Sequence, residues 1–371
     1  MNKMLKIVLV TVILLLVVLS LGVVVFMNTS RFGKHPSGER LAKIKKSPNY
    51  KNGEFQNLNP TPMTTEGVSV WSTTIDFFLT TVKTPKSILP SKKTDLKQLN
   101  PSENVVIWMG HSSYFMQLDG KKVLVDPVLS GYAGPVSFTT KAYKGSDVYT
   151  TDDIPDIDYL ILTHDHWDHM DHNTLIKLKP KIKKIITGLG NGAHLERWGF
   201  NKEKFKEEDW NTEIQLDEGF TAHVLPSRHF SGRGLKRNQT LWASFALITP
   251  SAKIFIGGDG GYDTHFADIG EKFGSFDLAV LENGQYGEGW RYIHLLPNQV
   301  AQAAIDLNAQ TLLPVHSAKF TLSMHNWDEP LAKISKHPVK KSIRIITPMI
   351  GEQVNLKDTS QKFTKWWEQV N

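Results

Sequence analysis

The chain has 371 residues, 40% hydrophobic and 22% charged, with 43 Lys and Arg, 37 Asp and Glu, and no cysteine. This length and composition suit one large or two ordinary folded domains and exclude a disordered chain. The missing thiols exclude a disulfide scaffold, cysteine zinc fingers, iron–sulfur clusters and a cysteine nucleophile, so any metal must be held by histidines and carboxylates.

The positive charge is unevenly placed. Residues 1–50 carry eight basic residues and a single acid, Glu39, leaving 35 basic against 36 acidic groups in the rest. Such a balanced body lacks the Lys/Arg excess of a general nucleic-acid binder, so no nucleic-acid partner is expected. Residues 7–27 are an uncharged apolar run. About 20 such residues cross a bilayer core of roughly 30 Å. The run exceeds the roughly 7–15 residues of a signal-peptide core, and no small-x-small cleavage site follows it. A single-pass membrane anchor is therefore expected over 1–30. Basic residues flank both ends, which leaves the side of the membrane open.

Residues 31–100 read as a basic linker and prologue packing on the next domain. They are Pro/Gly/Asn-rich at 47–67, with a helix expected around 68–82. Domain 101–371 begins with NVVIWMGHSSYFMQLDGKKVLVDP, two apolar runs joined by Asp119-Gly120, a hairpin signal. Further strands are predicted at 158–163, 183–187, 220–225, 241–249, 253–257, 276–281, 311–315 and 343–347. Helical patterns fall at 171–178, 190–198, 297–307 and 327–336. Hairpins first, then strands alternating with helices, predict an α/β fold with mixed sheets.

The densest chemistry is ILTHDHWDHMDH, where an apolar strand ends in His164-x-His166-x-Asp168-His169. In extended backbone His164 and His166 point to one face and can grip one ion. Asp168 and His169, where the chain turns into a helix, can reach a second. Burying so many titratable groups unpaired would be costly. Imidazole and carboxylate without thiolate suit Zn²⁺, with Fe or Mn as alternatives.

THDHWDHMD resembles the HxHxDH signature of the metallo-β-lactamase superfamily. Val125-Asp126-Pro127, His229 in LPSRHFSGRG, Asp259 in FIGGDGGYD and His316 after LLPV follow the superfamily's order. WMGHSSYF, SRHFSGRG, LWASFAL, GGDGGYDTHF and HLLPNQV resemble the branch of N-acyl-phosphatidylethanolamine phospholipase D and its bacterial relatives. The resemblance implies a four-layer αββα sandwich. It also implies two Zn²⁺ per chain, one held by His164, His166 and His229, the other by Asp168, His169 and His316, with Asp259 bridging. Asp168 is then placed to orient a hydroxide held between the zinc ions. His294, in RYIHLLPNQ, becomes a proton donor or substrate ligand, and His111 and Asp126 support the ligands from behind. The chain departs from the branch in HSAKF at 316–320, where His-Trp-Gly-Thr-Phe is usual, and in Gly258-Asp259-Gly260-Gly261, where Gly-Asp-Thr-Gly is usual. Both departures keep the ligand and change its neighbours.

The expected function is a membrane-anchored, zinc-dependent phosphodiesterase of the phospholipase D type, acting on a phospholipid or other phosphodiester. The alternative is a lactonase or other carboxylic-ester hydrolase; a nuclease and a non-enzymatic membrane scaffold rank lower. No G-x-S-x-G elbow surrounds Ser227, Ser231 or Ser244, which argues against a serine hydrolase. Trp71, Phe77, Phe78 and Leu79 are expected to form an apolar rim beside the metals. Trp366-Trp367 either dips into headgroups or packs as a terminal element. The oligomeric state is left open.

Overall fold

The computed structural model describes residues 2–370, without the side chains of Val70 and Phe78. Alternation along the first hairpin decides how its sheet packs. Val106, Trp108, Met116 and Val125 turn into one core, while Val105, Ile107, Phe115 and Leu124 turn into another. A strand buried on both faces belongs to an inner layer.

The first sheet runs Gln353–Asn355, Val105–Trp108, Tyr114–Leu118, Lys121–Val125, Ile157–Leu162, Ile182–Gly188, Phe205–Glu208 in space. Its first three neighbouring pairs are antiparallel and its last three parallel. The second sheet, from Thr212–Gln215 through Thr221–Leu225, Ser244–Ile248, Lys253–Ile256, Leu278–Glu282 and Thr311–Val315 to Arg344–Ile345, repeats that pattern. The two halves share a topology that no sequence period announced. Their inner faces meet in one core, with Val106, Met116, Val125 and Ile161 on one side and Val224, Leu247, Ile256 and Val280 on the other.

Helices His172–Leu178 and Gly192–Arg197 cover the first sheet through Leu175, Leu178 and Leu195. Helices His265–Phe273, Pro297–Asp306 and Glu329–Lys336 cover the second through Ile269, Val300 and Ile334. The result is the four-layer αββα sandwich. One expected strand, 241–249, begins only at Ser244. The amides of Leu241 and Ala243 donate instead to the carbonyls of Leu189 and Thr163, behind the first sheet's strands. Trp366 and Trp367 are buried, with Trp366 beside Trp108 and Trp327, so they pack and do not reach a headgroup layer.

Helix α1, Lys3–Met27, is exposed as far as Val25, and Phe26 and Met27 are half-buried. It is long and apolar enough to cross a membrane. Helix α2, Gly38–Ile44, docks on the domain. Arg40 pairs with Glu196 and Glu207, both at 2.9 Å, and Lys43 with Glu208 at 2.8 Å. Helix α3, Val70–Leu79, lies over the carboxyl ends of the strands, and the Thr65 amide before it donates to the Gly289 carbonyl at 2.8 Å.

Candidate metal centre

Every expected ligand follows the end of an apolar strand, and both sheets deliver theirs to one rim. His164 follows Ile157–Leu162, His229 follows Thr221–Leu225, Asp259 follows Lys253–Ile256 and His316 follows Thr311–Val315. His164 Nε2 lies 2.9 Å from His166 Nδ1, which lies 3.2 Å from His229 Nε2. With Asp259 these three form one compact ligand group, and His111, Asp168, His169 and His316 form a second. Asp259 stands between the two. Its Oδ2 is 3.8 Å from both His164 and His229 and 3.1 Å from His169, while its Oδ1 is 3.2 Å from His316.

The partners behind these rings fix which nitrogen faces inward. His229 Nδ1 donates to the Ile293 carbonyl at 2.8 Å, and His169 Nδ1 to Asp126 at 2.8 Å. His164 Nδ1 donates to Thr163 Oγ1, whose hydroxyl donates to Asp126 Oδ2 at 2.6 Å. Each leaves an Nε2 lone pair directed into the centre, the tautomer a metal requires. Burial pushes the pKa of His164, His229 and His316 well below the ordinary imidazole value. Burial would raise Asp259 and Asp168, but neighbouring imidazoles, His169 foremost, outweigh it and hold both carboxyls low. The rings of His164, His229 and His316 are therefore neutral and the carboxylates ionised. Asp259 and Asp168 outweigh burial at His169 and push its pKa well above the ordinary imidazole value, holding a proton that a bound cation would displace.

A cation fits this donor set. Zn–N bonds of about 2.0–2.1 Å at tetrahedral angles place ligand atoms about 3.3 Å apart, close to the spacings found. His169 Nε2 and Asp259 Oδ1 are buried without a hydrogen-bond partner, and a cation held among these donors would satisfy both.

His111 and His316 sit in left-handed backbone, φ +52° and +65°, and are locked together. The His316 amide donates to the His111 carbonyl, and the His111 amide to the Ser317 carbonyl. His111 Nε2 is 2.8 Å from Asp168 Oδ2. Glycine is required beside Asp259, because a Cβ on Gly260 would meet Ser227 Oγ at 2.2 Å and one on Gly261 the Tyr292 carbonyl at 2.0 Å.

A cavity of about 420 Å³ opens on the centre. His166, Asp168, Asp259, His294 and His316 form its polar floor, and Met63, Phe77, Phe230, Trp290, Ile293 and Leu322 its apolar walls. Of the expected rim, Phe77 lines the cavity. Trp71 and Leu79 are instead 79% and 75% exposed, because they lie on the outward face of α3; the Phe78 side chain is outside the described residues.

Two participants had no signal in the sequence. Glu282 is buried at a strand end, accepting from the amides of Gly260 and Leu295 and lying 2.6 Å from His294 Nδ1. Asp165, inside the signature, accepts from the Gly232 amide, Thr240 and His194. It ties the first ligand loop to the loop after His229. Only tertiary proximity reveals either role.

Residues 121–317 match the family model described as the beta-lactamase superfamily domain. The chain belongs to the metallo-β-lactamase superfamily. An uncharacterized protein of Mycobacterium tuberculosis is 33% identical to this superfamily member over 335 residues, covering 88% of this chain and 89% of its own. The N-acyl-phosphatidylethanolamine-hydrolyzing phospholipase D 1 of Caenorhabditis elegans is 28% identical over 334 residues, 81% of this chain and 88% of its own. CmlA, a diiron β-hydroxylase from Streptomyces venezuelae, shares the fold with a TM-score of 0.53 at 18% identity, over 70% of this chain and 55% of its own. The chain is a metal-dependent hydrolase of the metallo-β-lactamase fold.

Proposed function

We infer that the chain is a membrane-anchored phosphodiesterase acting on a phospholipid, with His164, His166 and His229 holding one zinc ion and Asp168, His169 and His316 the other across Asp259. The observation that carries this reading is the cavity, a polar floor under walls that are largely apolar, with Thr73, Thr74 and Gln285 among them. A floor for one phosphate beneath apolar walls suits a substrate that is polar at one end and hydrocarbon at the other. The likeness to the worm phospholipase D over most of both chains supports the same substrate class. A donor set of imidazole and carboxylate suits zinc, with iron, the metal of CmlA, as its competitor.

Two divalent ions in such a site supply Lewis acidity toward the phosphoryl oxygen and an activated water. The protein supplies the rest. Asp168, on the cavity floor and steadied by His111, orients the attacking water. His294 faces the same cavity with its Nδ1 fixed on Glu282, so its Nε2 is the atom that hands a proton to the leaving alcohol. Water adds to phosphorus, the P–O bond to the alcohol breaks, and the proton lost by water is balanced by the one the alcohol gains. Asp126, through His169 and Thr163, keeps the ligand loop in register.

Phosphodiesters of graded acyl length test this on the purified full chain. Each buried CH₂ gains about 0.8 kcal/mol, so kcat/KM should rise about fourfold per methylene until the walls are filled. Efficiency independent of chain length, or opening of lactones alone, overturns the phospholipase reading in favour of the ester hydrolase.

A further inference from the structure

The end of α1 does not swing free of the domain. Phe26 packs edge-on against Phe32, and Phe32 against Trp167, between His166 and Asp168 in the ligand loop. Arg233 lies over Trp167 at 3.9 Å. Its guanidinium donates to the Arg31 carbonyl on one side and to the Asp165 and Met170 carbonyls on the other. The Lys34 amide donates to His194, and Trp198 donates to the Ser30 carbonyl. The helix therefore leaves the domain at a fixed place.

At that place lies a second cleft, of about 450 Å³, between residues 27–35 and the loop 233–236. Met27 and Asn28, the last residues of the helix and its cap, are part of its wall. Lys34, Arg197 and Lys236 line it from three separate segments, all exposed, and no carboxylate lines it. None of these three forms an ion pair among the described residues, whereas Arg40 and Lys43 of the same basic stretch are paired with glutamates. Leu235, at the lip, is 90% exposed. Three cations without a carboxylate partner, one of them (Arg197) donating to the Asn28 carbonyl, surround a pocket of small-ligand size with an apolar side chain projecting beside the helix end, and match the phosphate and first acyl carbons of a lipid.

We propose that this cleft binds the headgroup phosphate of an anionic phospholipid and seats the catalytic domain on the bilayer, apart from the metal cavity. The proposal rests on α1 being a membrane-spanning helix. Phe230 lines the metal cavity and carries Arg237 over its ring, so the loop that borders the cleft also borders the substrate's path.

Hydrogen exchange on the full chain in nanodiscs tests the assignment. Replacing part of the phosphatidylcholine by phosphatidylglycerol should protect residues 28–36 and 233–237. The double variant Lys34→Gln, Lys236→Gln should weaken that response about 30-fold in phosphatidylglycerol fraction, from about 1 kcal/mol per cation near an anionic surface. The charge-matched double variant Lys45→Gln, Lys46→Gln, whose lysines lie outside the cleft, should keep it. Equal loss in both variants, or no dependence on phosphatidylglycerol, overturns the cleft. Equal protection from inorganic phosphate in phosphatidylcholine nanodiscs overturns the lipid as its occupant. Carbonate extraction reads the helix separately. A chain that resists carbonate yet shows no lipid dependence leaves the anchor standing without the cleft, and a chain released by carbonate overturns both.

Discussion

Glu282 turns both carboxylate oxygens toward one end of the cavity, where they meet the amides of Gly260 and Leu295 and the ring of His294. Burial raises Glu282, and it would lower His294, but the carboxylate outweighs burial on the ring and pushes His294 up to about 9. A proton donor with a raised pKa is in its active form below that value and loses it above. Activity should therefore fall on the alkaline side. Glu282→Gln removes the charge that raises the ring, so the alkaline limb of kcat should move to lower pH, as read from a pH–rate profile. His294→Ala should lower kcat by about 10²–10⁴-fold with metal content unchanged. Elemental analysis separates these variants from Asp259→Ala, which should lose metal as well as activity. A Glu282→Gln profile superimposed on the parent's removes His294 from the proton path.

The strands that carry the ligands were legible because each is an apolar run that stops at a polar cluster, as in DYLILTHDH and KIFIGGDGG. What escaped was written in composition that says little alone. Phe205–Glu208 and Thr212–Gln215 are short strands rich in Lys and Glu, the composition of a sheet edge and equally of a solvated loop. Helix His265–Phe273 begins in the glycine-rich ligand loop and has little apolar content before Phe266. Glu282 and Asp165 depend on partners far along the chain. Helix α3 was expected, but its two faces were not. Thr73, Thr74 and Phe77 close the metal cavity, while Trp71, Ile75 and Leu79, spaced i, i+4, i+8, are exposed together on the other side. An outward apolar face beside the metal cavity suits contact with a bilayer surface, as the proposed phospholipid substrate requires. Trp71→Ser with Leu79→Ser should slow cleavage of a diester presented in vesicles by about tenfold or more, because each large side chain withdrawn from an apolar phase forfeits roughly 1.5–3 kcal/mol. Cleavage of a small soluble diester should stay within about twofold. Equal loss on both substrates would mean that the face supports the cavity wall only.

Across the whole molecule, the boundary between the apolar helix and the enzyme lies inside the segment that follows the helix. The apolar helix ends at Met27, and the residues after it are held to the domain by Arg233, Trp198 and His194. These contacts meet Asp165 and Trp167, so they brace the loop that carries His164, His166, Asp168 and His169. Truncation should therefore have two outcomes, depending on where it is made. Removing residues 1–27 takes away the exposed helix and leaves the brace, so a soluble chain with the parent's metal content and activity on a small diester is expected. Removing residues 1–36 also uncovers Trp167 and Trp198 and takes the Arg31 carbonyl from Arg233. Its Nη1 keeps the Asp165 and Met170 carbonyls, but Nε and Nη2 are left buried without a partner, at a cost of about 1–3 kcal/mol. The longer truncation should melt lower by several degrees, roughly 2–4 °C per kcal/mol for a domain of this size. It should also bind metal more weakly, as measured by competition with a chelator. If the two truncations have the same melting temperature and the same resistance to the chelator, the segment that follows the helix is a tether alone and the ligand loop stands without it.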